Sequence, residues 1–286
     1  MSRFVAARSL NDALEVMARG EARALAGGTD LMPRLRRARL AGEPLPNVIV
    51  DVSRLSELTR LDLGSERPYI GAGISFRRLE SDLEVERTYP ILKQAAATVG
   101  SVQVRQTASI GGNVANASPA ADGVTALVAL GARAEVVSIR ERRFCRVEEL
   151  ITGPGQTILA NDELILGFEL DRLKSRDGQV FSKVGRRRGV SVARLNVAVC
   201  LDPAFSDCRV VLGACFPSPR RLNDVEELLA NGVAGDALWR EAGRKATDLF
   251  QDVCGWRSSA AYKVQAIARV TGRTLALAWE RVARGA

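Results

Sequence analysis

No histidine occurs in the 286 residues. That absence excludes a Ser-His-Asp or Cys-His triad, an imidazole general base, a histidine metal site and a covalent cofactor link through imidazole. Cysteine is sparse. Cys145, Cys200, Cys208, Cys215 and Cys254 form no C-x-x-C pair and no close set of four. An iron–sulfur cluster or structural zinc held by this chain alone is therefore not expected. An odd, scattered set suits reduced thiols buried as small hydrophobes in a cytosolic protein. No apolar run approaches the roughly 20 residues of a membrane span. The start, M-S-R-F-V-A-A-R-S-L, has too little apolar length for a secretory signal, so a cytoplasmic location is expected.

What is present is an ordinary soluble composition, 47% hydrophobic and 26% charged. The length leaves room for about two domains. Net charge is +8, with arginines grouped at 34, 36, 37 and 39, at 140, 142 and 143, and at 186 to 188. Such a surface suits nucleic acid, a phosphate ligand, an acidic partner or plain solvation. With no zinc finger, basic zipper or aromatic stacking motif, nucleic acid is not an expected partner.

One stretch carries most of the chemistry: A-S-I-G-G-N-V-A-N-A-S-P-A-A-D, Ala108 to Asp122. It is poor in large side chains and has paired glycines, which allow backbone to approach a ligand closely. A second stretch, A-G-G-T-D-L (Ala26 to Leu31), has the same character. It follows a short buried strand (23–26) and precedes a basic helix (31–40). Strand, glycine turn and helix together aim backbone N–H groups at a phosphate, although a plain tight turn reads the same way. With strand 48–52 these elements predict a small βαβ unit. A helix from Ser9 to about Arg19 is expected before it. Asp122 opens a buried helix to Leu130, where its carboxylate either suits the helix dipole or serves a ligand. Polar residues 171–178 punctuate the chain. Beyond them, strands at 180–184, 193–201 and 208–214 are expected in antiparallel order, then a helix capped by Asn223 and a long helix from Trp256 to Arg284.

The pair 26–31 and 109–122 resembles the flavin-binding signature of the molybdenum hydroxylase family, which includes xanthine dehydrogenase and aerobic carbon monoxide dehydrogenase. D-E-L-I-L-G-F-E-L (162–170), F-S-K-V-G-R-R-R-G-V-S-V-A-R-L-N (181–196) and S-S-A-A-Y-K (258–263) are similar to further family segments in the same order. The resemblance implies an α+β chain. Residues 1–174 would be a two-part FAD-binding domain, a small βαβ lobe plus a mixed sheet with helices. Residues 175–286 would be a C-terminal medium-subunit domain of a small antiparallel sheet packed with helices. It implies FAD as the cofactor of this chain, held by Ala26, Gly27, Gly28, Thr29, Asp30 and Leu31 around the pyrophosphate. Ser109, Ile110, Gly111, Gly112 and Asn113 would form a second pyrophosphate turn. Asp122 would bond the adenosine or ribityl part, and Val99, Ile165 and Lys183 would contact the flavin. Lys183 is either a cation beside the ring or one more surface lysine. A bulky residue at Gly111 is expected to abolish FAD binding and spare the fold.

The resemblance also implies an FAD-dependent oxidoreductase subunit that relays electrons. They would come from [2Fe–2S] clusters in a small partner subunit and leave for an external acceptor. Molybdopterin would sit in a large partner subunit, in a dimer of heterotrimers. No catalytic acid or base and no metal ligand is expected here. The alternative is a self-sufficient flavin-dependent oxidase of the vanillyl-alcohol-oxidase type. Departures exist: Gln106 and Ser191 stand where the family often has Asn and Asp, and the cysteine-rich insertion of the benzoyl-CoA reductase branch is absent.

Overall fold

A computed structural model describes residues 2–174, 177–187, 190–254 and 260–284. The chain opens with a parallel three-stranded sheet in the order Arg3–Ala6, Val48–Asp51, Ala22–Leu25. Helices Leu10–Ala18 and Leu31–Leu40 connect its strands. Ser9 is extended, and its hydroxyl accepts from the Asp12 amide at 3.1 Å, which starts the first helix. That helix buries Ala13, Leu14, Val16 and Met17 on one side, about 1.5–3 kcal/mol for each large side chain. The expected βαβ unit is present. The strand Arg3–Ala6 was not expected: it is four residues long, mostly exposed, and its F-V-A run shows no polar–apolar alternation.

A second sheet runs Leu61–Asp62, Tyr69–Gly71, Leu164–Glu169, Arg133–Val137, Arg142–Arg146, antiparallel at each pairing. Where a mixed sheet is expected beside the βαβ lobe, this sheet is antiparallel throughout, and the parallel pairing lies in the small lobe. Helix Asp122–Ala129 is buried at every position, which accounts for its run of apolar residues after Asp122, broken only by Thr125.

The C-terminal half is built on a sheet ordered Gly178–Gly185, Ala193–Leu201, Arg209–Gly213, Arg220–Arg221. Both its faces are covered. Leu195, Val197, Val199 and Leu201 pack in one core with Trp239, Ile267 and Leu275 of the last two helices. Phe181, Ala198, Cys200 and Val211 pack in the other, with helices Pro90–Ala97 and Asp122–Ala129. The near-continuous burial of strand Ala193–Leu201 follows from this two-sided cover.

Three expectations need correction. The helix Asn223–Ala230 begins at Asn223 rather than being capped by it; Leu222 holds the cap position and no side chain bonds there. Helix Asp236–Cys254 was not expected, although Leu238, Trp239, Ala242, Ala246 and Phe250 repeat at helical spacing. The central glycine stretch is not a simple loop, since Ile110–Ala115 is a short α-helix. The final helix is described as Ala260–Arg284. Residues 256–259 of the expected helix, 188–189 of the segment 181–196, 258–259 of S-S-A-A-Y-K and 175–176 at the expected domain border lie outside the described residues.

Candidate cofactor cleft

A cleft of about 520 Å³ opens between the parallel sheet and the short helix Ile110–Ala115. One wall is the turn Ala26–Leu31, which follows strand Ala22–Leu25. Gly28 takes φ +68°, a left-handed backbone that glycine adopts without strain. A Cβ on Gly27 would fall 1.9 Å from the Thr107 carbonyl oxygen, so this glycine lets the turn press against the segment leading into the second glycine pair. The amides of Gly27, Gly28, Thr29, Asp30 and Leu31 have no acceptor among the described residues. Five neighbouring N–H groups at the start of a ten-residue helix make a concavity suited to an anion.

The opposite wall is arranged differently. Ser109 is extended, and its hydroxyl accepts from the Gly112 amide at 3.2 Å. The amides of Ile110 and Gly111 donate to the carbonyls of Ile74 and Ala72 at 3.0 and 2.8 Å, and Asn113 N donates to Ser109 O at 3.0 Å. The second turn therefore has its main-chain donors already bonded. It presents exposed Gly112, while the Asn113 Oδ1 is buried against Gly123 and has no hydrogen-bond partner among the described residues. A Cβ on Gly111 would sit 2.5 Å from Ala72 Cβ and 2.8 Å from Ala72 O. A bulky residue there disrupts the fold, contrary to the expectation that it would be spared.

Of the residues singled out from sequence, Ala26, Gly27, Gly28, Thr29, Asp30, Leu31, Val99, Ser109, Gly111, Gly112, Asn113 and Ile165 line this cleft. Ile110, Asp122 and Lys183 are not in its lining. Ile110 is fully buried beneath it. Asp122, 4% exposed, accepts from Lys183 Nζ at 2.5 Å, Asn196 Nδ2 at 2.7 Å and Thr98 Oγ1 at 3.2 Å. Burial lifts the Asp122 carboxyl above the ordinary carboxylate range, outweighing the attraction of Lys183. Lys183 Nζ also donates to the Thr98 carbonyl at 2.8 Å, directly beside Val99. Lys183 and Asn196 face each other across their strand pair, so the C-terminal sheet reaches the back of the cleft through this pair.

The cleft also holds residues that were not anticipated: Arg23, Arg34, Asn116, Gln156, Asn161 and Glu163. Arg23 Nη1 donates to Asn161 Oδ1 at 3.0 Å, joining the first strand of the turn to a loop far along the chain. Glu163 takes two bonds from Arg143, at 2.9 and 2.8 Å, and one from the Ala160 amide at 2.8 Å. The Arg143 bonds hold its carboxyl below the usual range. T-G-P-G at 152–155 reads as a turn, but nothing in the sequence singles out its neighbours. Among the described residues no cluster of three or more Cys, Asp or Glu is placed to hold a metal, and no helix is long and apolar enough to cross a membrane.

Residues 1–170 match the family described as the FAD binding domain in molybdopterin dehydrogenase, and residues 180–278 the CO dehydrogenase flavoprotein C-terminal domain. The chain is 28% identical to the xanthine dehydrogenase FAD-binding subunit of Escherichia coli O157:H7, over 94% of this chain and 93% of that one. It is 28% identical to the nicotine 6-hydroxylase medium subunit of Paenarthrobacter nicotinovorans, over 98% of both. Its fold is that of a chain of carbon monoxide dehydrogenase from Hydrogenophaga pseudoflava, with a TM-score of 0.89, 23% identity and 98% of each chain covered. With more than half of its length matched by the first of these families, the chain belongs to the family of FAD-binding domains of molybdopterin dehydrogenases.

Proposed function

We propose that this chain is the FAD-carrying electron-transfer subunit of a molybdopterin hydroxylase, working between [2Fe–2S] clusters of a small partner subunit and an external acceptor. Molybdopterin belongs, on this proposal, to a large partner subunit. The carrying observation is the row of five unpaired amides on the cleft wall. They suit the diphosphate of a dinucleotide. Val99 and Ile165 supply apolar wall for a planar ring system.

We assign Ala26 to Leu31 to the pyrophosphate, chiefly through main-chain N–H groups. Ser109, Gly111, Gly112 and Asn113 form the facing wall, where Gly112 leaves room and Ser109 fixes the helix start. Ile110 anchors that helix from below. Asp122 and Lys183 hold a charge pair behind Val99, against the Thr98 carbonyl, and set the electrostatics on the ring side. When bound, FAD supplies both one- and two-electron redox chemistry. This chain's residues bind it, orient it and limit water access; none is assigned to proton transfer from an organic substrate. We place the domain border between residues 174 and 175, the assembly as a dimer of heterotrimers, and the protein in the cytoplasm.

The similarity to FAD-binding and medium subunits favours this proposal over a self-sufficient flavin oxidase. Expression with its genomic neighbours is the test. Co-purification with molybdenum- and iron–sulfur-containing chains, with no organic-substrate turnover by the isolated subunit, is the expected outcome. Turnover by the isolated flavin-loaded chain would instead support the self-sufficient alternative.

A further inference from the structure

Asp30 is the carboxylate within the A-G-G-T-D-L turn. It occupies the N-cap position of helix Leu31–Leu40, where an aspartate ordinarily bonds amides of the first turn. Here no such bond is available, because the Met32 amide donates to the Gly28 carbonyl and Pro33 has no N–H, and the Asp30 backbone is helical (φ −106°, ψ −45°). Its carboxylate is directed elsewhere. Oδ1 accepts from Asn116 Nδ2 at 3.1 Å, and Oδ2 accepts from the Thr29 hydroxyl at 3.4 Å. Asn116 lies at the C-terminal end of the facing short helix. Arg34, one turn beyond Asp30, donates from Nη2 to Asn116 Oδ1 at 2.6 Å. With Oδ1 engaged by a cation, the amide of Asn116 presents its N–H₂ side to Asp30. All three side chains line the cleft mouth.

The turn's unpaired amides and the positive end of its helix attract any nearby anion. The carboxylate nearest in sequence is Asp30 itself, a competitor for those amides and a like charge to a diphosphate. We propose that Arg34 and Asn116 form a clasp that holds the Asp30 carboxylate away from the turn amides and so keeps the phosphate site open. The inference rests on the FAD assignment above. Arg34 and Asn116 act here as positioning residues, through Asp30.

The test is an FAD titration of the flavin-stripped full-length chain, followed by flavin fluorescence. Asn116→Ala releases Asp30 and weakens FAD binding on the order of tenfold, the effect of a unit charge brought beside a phosphate in a solvent-lined site. Adding Asp30→Ala to Asn116→Ala returns the affinity to wild type or better. The Asn116→Ala penalty also shrinks as ionic strength rises to about 0.5 M, because exposed charges are screened. Alanine fits the helical backbone of residue 116 (φ −71°, ψ −17°), and a melting curve of the flavin-free variant checks the fold. A double variant as weak as Asn116→Ala, or a penalty independent of salt, overturns the clasp. Unchanged affinity in a folded Asn116→Ala variant overturns it too. A wild-type chain that does not bind FAD overturns the cofactor assignment instead.

Discussion

Gly111 and Gly112 adjoin in sequence, yet a methyl group added to each meets different surroundings. At Gly111 it strikes the Ala72 backbone and side chain; at Gly112 it meets only the Ser109 hydroxyl, at 3.0 Å. Gly111→Ala is therefore expected to destabilise the fold by about 1–3 kcal/mol through overpacking. Gly112→Val is expected to leave the melting temperature within a few degrees and to weaken FAD binding by about tenfold or more, some 1.4 kcal/mol. Thermal melts paired with FAD titrations separate the two effects. Equal loss of stability in both variants would remove Gly112 from the cleft wall. Both glycines were legible in the sequence, because a missing Cβ is itself written there. Which one faces the core was not, since that depends on Ala72, some forty residues earlier.

Among the elements, the loop from Gly155 to Glu163 is held by two ion pairs, Arg140–Asp162 and the more buried Arg143–Glu163. Glu163 joins strand Arg142–Arg146 through Arg143 and fixes the Ala160 amide. Its folded carboxyl titrates below its ordinary 4.5. The stability it contributes is thus fully present above pH 4.5 and is lost as pH falls through the lower folded value. Glu163→Gln is expected to lower stability at neutral pH and to flatten the acid limb below 4.5, as followed by circular dichroism at stepped pH. An acid limb identical to wild type would show that the Arg143–Glu163 pair does not hold the loop. Helix Leu10–Ala18 was legible from Ser9 and an apolar face. The edge strand Arg3–Ala6 was not, because exposed edge residues lack the alternation that marks a half-buried strand. Helix Asp236–Cys254 had its 3–4 spacing in plain view.

Across the whole molecule, the two halves meet at Asp122 and Lys183. Both residues stood out from sequence; their pairing did not. It depends on the register that sets Lys183 opposite Asn196 and on the burial of helix Asp122–Ala129, neither of which local pattern reveals. Lys183→Met leaves Asp122 as an uncompensated buried charge and is expected to cost about 3–5 kcal/mol in denaturant unfolding. Replacing both Asp122 and Lys183 with apolar residues is expected to cost less than the single change. A single variant no less stable than wild type would mean that the pair does not join the halves.

The order of the glycine turns along the chain, their meeting at one cleft and the open amides of the first all converge on bound FAD. The most direct measurement is the stoichiometry of FAD binding to the isolated, flavin-stripped, full-length chain. One FAD per chain, with a shifted flavin absorption spectrum and binding weakened about tenfold or more by Gly112→Val, is the expected result. A folded chain that takes up no FAD across the titration would contradict it.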